Sequence, residues 1–520
     1  MLGAWWQDTV RTYRGNAIFV RDFRSQMRGW KPMWFWLAYL GLILLVVGSF
    51  YSGMMRQGTI DVGELQTRLV GLFVGFSTLL SYLVLLVAPA LTAISVVQEF
   101  DRKSIDLVQS APVSARYLLV GRLLSAYRYV WILLMLALPF AAVGILMGGF
   151  TWPQLLATFF GISLQGLLVA SLGLVTGVMT RKIVPAVIQA YASFFVVGIF
   201  TGLLGAMTLA MTFSGGRGGA AGAGFGFWGV LTPGTTQWAV LGTTPLGTWQ
   251  APNLLLATIL TLFTSRLFML GAASAIAPTL TPDISRLRAN SFIAALLIGL
   301  LAAIVVGSIP GGMRGAAMGG AGSQALIFGN TYNAVVGFGS IVVVSYLACW
   351  GFIGERKYQT NGIWRMNWIL KGTPASALPY LTALMVVATL GFVGGMYFSS
   401  GRIDPMFFAY IPWAWGLNLL LVGMCWWASL LSNGNLPGAR RLAGLFFILF
   451  FVIISAGIGI ATRGEPSEEV MAWNPIWGAF SPSPYPPGPL GHGIILAVIG
   501  GILLFTAEMK RRKVIRASYE

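Results

Sequence analysis

The sequence predicts an all-α polytopic membrane protein: about 12 transmembrane helices arranged as six plus six, with both termini cytoplasmic. Three observations carry this. Only 9% of the 520 residues are charged and 57% are hydrophobic, against roughly 25% charged in an ordinary soluble domain. A water-soluble chain of this length could not cover its surface with so few charges. Apolar runs of about 20 residues, the length a hydrocarbon core requires, recur from end to end. The 33 basic residues greatly outnumber the 15 acidic ones, and they gather on alternate loops.

Taken in order, the predicted spans are 34–53, 70–97, 129–149, 154–179, 183–212, 252–272, 291–309, 332–353, 377–397, 405–431, 443–462 and 491–507. The runs lack the outward-apolar, inward-polar alternation of a transmembrane barrel. Cytoplasmic loops of membrane proteins carry an excess of Lys and Arg. With the N-terminus inside, 27 of the 33 basic and nine of the 15 acidic residues fall on cytoplasmic segments. Six of each remain outside, so the whole net charge of +18 lies on one face. An odd number of spans would scramble that partition. Residues 1–33 carry six basic residues and no clean apolar core, so no cleavable signal peptide is expected there. Lys510, Arg511, Arg512 and Lys513 close the last span as a cytoplasmic stop.

The spans contain no acid and no lysine. Ion- and proton-coupled carriers bury ionisable groups along their pathway, and an intramembrane enzyme needs a poised acid, base or nucleophile. Energy must therefore enter elsewhere. Arg266, near the inner end of the sixth span, reads as a snorkelling side chain. The single histidine, His492, reads as a headgroup-level residue at the outer end of the last span, and one histidine cannot build a His-rich metal site. Cys349 and Cys425 sit in apolar stretches and imply no disulfide framework. The glycine run 215–224 lacks the Gly-Lys-Ser/Thr ending of a phosphate loop and is read as an external linker, as is 311–322. No Walker motif occurs, so the chain is expected to bind no cofactor and not to hydrolyse ATP alone. The 20 methionines are scattered through the spans and fit core packing better than copper handling.

The second cytoplasmic loop, 98–124, is the most informative. Charged Glu99, Asp101, Arg102 and Lys103 with Phe100 lead into Ile105, Asp106, Leu107 and Val108, a short amphipathic patch. Pro112 ends it, because proline disfavours helix at the residue before. After Val113, Ser114 can cap a new helix running into the third span. A short surface helix tied to two spans can pass force from a soluble partner into the bilayer.

This loop resembles the signature of type-2 ABC exporter permeases, through Glu99, Arg102, Lys103, Ser104, Asp106, Leu107, Pro112, Val113, Ser114 and Arg122. Lys103-Ser104-Ile105 stands where the family commonly has Lys-Gly-Thr. Residues 16–29 resemble the opening of the same permeases, with Asn16, Arg21, Asp22, Arg24 and Arg28 matching and Ala17 in place of proline. Ile18, Phe19, Phe23 and Met27 fall near one helical face, an interfacial amphipathic helix on anionic lipid rather than a nucleic-acid-binding one. The resemblance implies a bacterial inner-membrane permease whose loop 98–124 is the coupling helix on a separate ABC ATP-binding subunit. That partner, in two copies, would use the ATP and Mg.

A second loop repeats the pattern. Glu355, Arg356 and Lys357 face Glu99, Arg102 and Lys103, while Pro374-Ala375-Ser376-Ala377 faces Pro112-Val113-Ser114-Ala115. Trp228–Pro233 and Met471–Pro475 each precede the last span of their half. In the family this segment re-enters the outer leaflet. The organisation expected is a cytoplasmic helix in 1–33, a first permease half in 34–275 and a second in 276–520. An insertion, 358–369, with Trp364 and Trp368 makes the two docking sites unequal. The expected cargo is hydrophobic or lipid-like. A non-transporting membrane anchor of an ATPase complex is the alternative, and a secondary carrier the third. The docking assignment predicts that Glu99→Lys or Asp106→Lys uncouples ATPase from transport while leaving folding intact.

Overall fold

The computed structural model describes Val20 and residues 30–55, 62–101, 115–146, 150–191, 226–246, 249–276, 281–307, 377–400, 405–431 and 488–517. Within these, the helices are α1 (Trp30–Met55), α2 (Val62–Asp101), α3 (Ala115–Leu146), α4 (Trp152–Thr180), α5 (183–191), α6 (Gly226–Leu231), α7 (Thr236–Ala239), α8 (Asn253–Ile276), α9 (Thr281–Gly307), α10 (Ala377–Ser400), α11 (Pro405–Leu431) and α12 (Gly488–Ala517). Seven of these helices are long and apolar enough to cross a membrane. The protein is a helical, multi-pass membrane protein. One element departs from the all-α expectation: β1 (Thr243–Leu246) and β2 (Trp249–Pro252) pair as a two-stranded hairpin. Predicted spans 332–353 and 443–462 lie outside the described residues, as does most of 183–212.

The chain divides into two compact units. The first comprises Met1–Thr244 with Gln250–Asp283, the second Pro245–Trp249 with Ile284–Glu520.

In the first unit, α2 and α4 run parallel. Ser81 meets Gln165, and Pro89 and Thr92 meet Gly173. A Cβ at Gly173 would sit 2.5 Å from the Pro89 carbonyl oxygen and from Thr92 Oγ1. Without a hydrophobic drive between helices in lipid, close backbone approach of this kind is what holds them together. Helix α1 runs parallel to α3: Phe35 lies 5.8 Å from Tyr129, ring to ring, and Tyr39 Oη donates to the Leu133 carbonyl at 2.8 Å. Helix α8 shows how the lipid face is sorted. Leu255, Ile259, Leu262 and Arg266 are exposed along one stripe, while Asn253, Ala257, Thr261 and Ser265 are buried along another. Arg266 thus sits on the lipid-facing side, as a snorkelling residue should.

In the second unit, α9 and α10 run parallel, with Ser291 hydrogen-bonded to Tyr380 and Leu296 against Gly391. Helices α11 and α12 are also parallel. Gly493 lies against Pro412 and Trp413, Gly500 against Leu419 and Leu420, and Trp427 Nε1 donates to Thr506 Oγ1 at 3.2 Å. A Cβ at Gly493 would fall 2.4 Å from the Trp413 nitrogen, so no larger residue fits the crossing. Beside this crossing His492, in the first turns of α12, is buried at 3% exposure.

Candidate functional site

Two places in the first unit gather polar side chains. One is the base of the loop 98–124. Helix α2 carries Glu99, Phe100 and Asp101 as its last three residues, and α3 begins at Ala115, directly after the predicted cap Ser114. Glu99 on α2 forms an ion pair with Arg122 on α3, and both side chains are 8% exposed. Burying an ion pair is costly unless the two charges compensate one another, so this contact fixes the register of two antiparallel helices where they enter and leave the loop. Phe100 extends the cluster. Helix α4 ends at Arg181, which adopts a left-handed backbone (φ 53°) and hydrogen-bonds through its N–H to the Gly177 carbonyl at 3.1 Å. That turn carries the Arg181 guanidinium over the Phe100 ring, 5.0 Å from its centroid, a cation–π contact. Asp101 is exposed. The residues flanking the loop on α2, α3 and α4 therefore form one joined platform.

Of the residues singled out in the sequence, the structure brings together Glu99, Phe100 and Arg122. Arg102, Lys103, Asp106, Leu107, Pro112, Val113 and Ser114 lie outside the described residues. So do Glu355, Arg356, Lys357, Pro374 and Ser376 of the second loop, and Asn16, Arg21, Asp22, Arg24 and Arg28 of the N-terminal segment.

The second place was marked in the sequence only by Trp228–Pro233, and its polar network escaped sequence reasoning. The segment from Gly226 to Pro252 folds as α6, a turn with Gly234 at φ +87°, α7 and the β1–β2 hairpin. It packs on α2, α4 and α8. Gln165 lies 13 residues into α4, about 20 Å along the helix, deep within a hydrocarbon core of about 30 Å. Its Nε2 donates to the Val230 carbonyl at 2.8 Å and to Thr236 Oγ1 at 2.7 Å, while its Oε1 accepts from Ser81 Oγ at 3.0 Å. Ser77 Oγ donates to Gln237 Oε1 at 3.3 Å, and Gln237 Nε2 donates to the Gly234 carbonyl at 2.7 Å. Asn253 Nδ2 closes the far side on the Ala239 carbonyl at 2.9 Å. Non-helical backbone at membrane depth is tolerated only where protein or water satisfies it, and here carboxamides and hydroxyls do so. Gly161 makes room, since a Cβ there would meet Thr236 Cγ2 at 2.7 Å. The signal in the sequence was a lone carboxamide in the middle of a 29-residue apolar helix. A search for charges passes over it.

No protein family, curated protein or solved structure matches this chain. The reading of both places rests on their own chemistry. Among the described residues, neither place sets a nucleophile beside a general base. The first is a mechanical joint between helix ends, and the second is a clasp that holds an inserted segment among the helices.

Proposed function

We propose that the chain is the permease subunit of a type-2 ABC exporter. It would supply both six-helix halves, with its termini in the cytoplasm of a bacterial inner membrane. The observation that carries this reading is the Glu99–Arg122 ion pair. A loop that transmits the closing of two ATPase subunits must not hinge freely where it joins the spans. The buried pair and the Arg181–Phe100 contact stiffen that junction. Force applied to 102–114 would then move α2, α3 and α4 together rather than bend the loop.

The two units support a duplicated chain. In the first, α1 and α3 run parallel with Tyr39 bonded to Leu133, 94 residues on. In the second, α9 and α10 run parallel with Ser291 bonded to Tyr380, 89 residues on. These are the first and third spans of each proposed half. The segment 226–252, held among α2, α4 and α8, corresponds to the re-entrant element before the last span. The exposed faces are apolar and the described interior is uncharged between the ends, which suits a hydrophobic or lipid-like cargo. ATP and Mg would be handled by the partner subunit.

The test is co-purification with candidate ABC ATPases followed by mass determination of the complex. One permease chain with two ATPase chains is the expected result. Two permease chains with two ATPases would overturn the duplication, and recovery of no ATPase would favour a membrane anchor without transport.

A further inference from the structure

Helix α12 carries a lipid-facing stripe of regular spacing. Leu490, Ile494, Val498, Ile502, Phe505 and Met509 recur every three or four residues, and each is exposed. From Leu490 to Met509 the helix rises about 29 Å, the thickness of a hydrocarbon core. The next position of the stripe is Arg512, whose side chain is 70% exposed. The stripe therefore measures out one bilayer and places a guanidinium at the depth of the phosphates, with exposed Lys513 beside it.

The neighbouring charges are already engaged. Arg511 forms two hydrogen bonds to the Glu508 carboxylate, one of them from Nε at 2.8 Å. Lys510 lies over the Trp427 ring of α11 at 5.0 Å. Arg512 makes only a long contact, 3.3 Å, through Nε to the same Glu508. Its side chain is 70% exposed, and a guanidinium carries the planar fork that suits a phosphate.

We propose that Arg512 and Lys513 form a headgroup site for an anionic phospholipid, whose acyl chain lies along Phe505 and Met509. The occupant is argued from charge and length together. A soluble acidic protein would satisfy the cations but has no use for an apolar stripe that ends beneath them. The site joins the end of α12 to the membrane surface and, through Lys510 and Trp427, to α11. It does not depend on the exporter reading.

The experiment is native mass spectrometry of the purified full-length chain, offered equal amounts of phosphatidylglycerol and phosphatidylcholine with identical acyl chains. The wild-type chain is expected to retain phosphatidylglycerol preferentially. In Arg512→Gln/Lys513→Gln the preference should fall about 30-fold, two cations near a surface at about fivefold each. Arg512→Lys/Lys513→Arg keeps the charge and should keep most of the preference, which separates loss of the site from loss of fold. Equal retention of both lipids by the wild type, or an undiminished preference in the glutamine variant, overturns the site. A glutamine variant that keeps its lipid preference but loses a co-purifying protein overturns it too, in favour of a protein-docking surface.

Discussion

The Gln165 carboxamide reaches across from the middle of α4 to the Val230 carbonyl at 2.8 Å, joining residues 65 positions apart in sequence. At that depth no water competes for the carbonyl. Gln165→Leu removes the short donors to Val230 and Thr236 and the acceptor of Ser81 Oγ, leaving the Val230 oxygen only the longer 3.4 Å bond from Thr236 Oγ1, a loss of about 1–3 kcal/mol. Thermal unfolding of the purified protein in detergent should show a lower Tm, and an unchanged Tm would mean the segment 226–252 is held by packing alone.

Glu99 behaves differently from what its position in a loop signature suggested. It is buried against Arg122, so Glu99→Lys sets two cations side by side and should destabilise the protein rather than leave folding intact. Removing one partner of such a pair costs about 3–5 kcal/mol. In a double-mutant cycle, Glu99→Leu/Arg122→Leu should recover much of what either single change loses. A double variant as unstable as the sum of the singles would show that the pair does not couple.

Asp106→Lys remains the cleaner probe of the coupling loop. The proposed function predicts that it abolishes stimulation of the partner ATPase by transport substrate while the complex still assembles at normal Tm. Normal stimulation in that variant would remove 102–114 from the docking surface.

The helix crossings give a paired prediction. Gly173→Ala drives a methyl into the Pro89 carbonyl, and overpacking of this kind costs about 1–3 kcal/mol. Gly271→Ala meets nothing within 4 Å and should be neutral or stabilise by up to about 1 kcal/mol, since alanine is the better helix former. Unfolding midpoints of the two variants measured side by side decide the matter.

These contrasts show what could be read from the residues and what could not. Hydropathy located the helices well: the predicted span 405–431 coincides with α11, and 154–179 differs from α4 by two residues at one end and one at the other. Transfer to lipid is a property of a run of side chains, so composition reports it. The pairing of runs is not such a property. Nothing in the sequence sets Gly173 and Gly493 apart from other glycines, and only the partner backbones against them do so. Gln165 and Asn253 are uncharged, so the charge census that fixed the loops ignored them. The hairpin at Thr243–Pro252 is too short to leave a periodic trace. At the loop base, Glu99 and Arg122 were both singled out, but only as separate matches to a pattern. That they touch follows from α2 and α3 meeting at their ends, a fact about packing.

The parallel pairs carry a consequence for how the chain is made. Among the described residues, the parallel pairs are separated along the chain: α2 lies between α1 and α3, α3 between α2 and α4, and long stretches separate α9 from α10 and α11 from α12. The last residue of α9 and the first of α10 therefore lie on opposite faces of the bilayer, as do Leu431 and Gly488. A helix leaving the translocon cannot dock on the one just before it to complete these crossings; it waits for the next arrival. Insertion and assembly are separated in time, and during synthesis the earlier member of each pair, α2 around Pro89, α9 at Gly299 and α11 at Gly416, faces lipid before it faces protein.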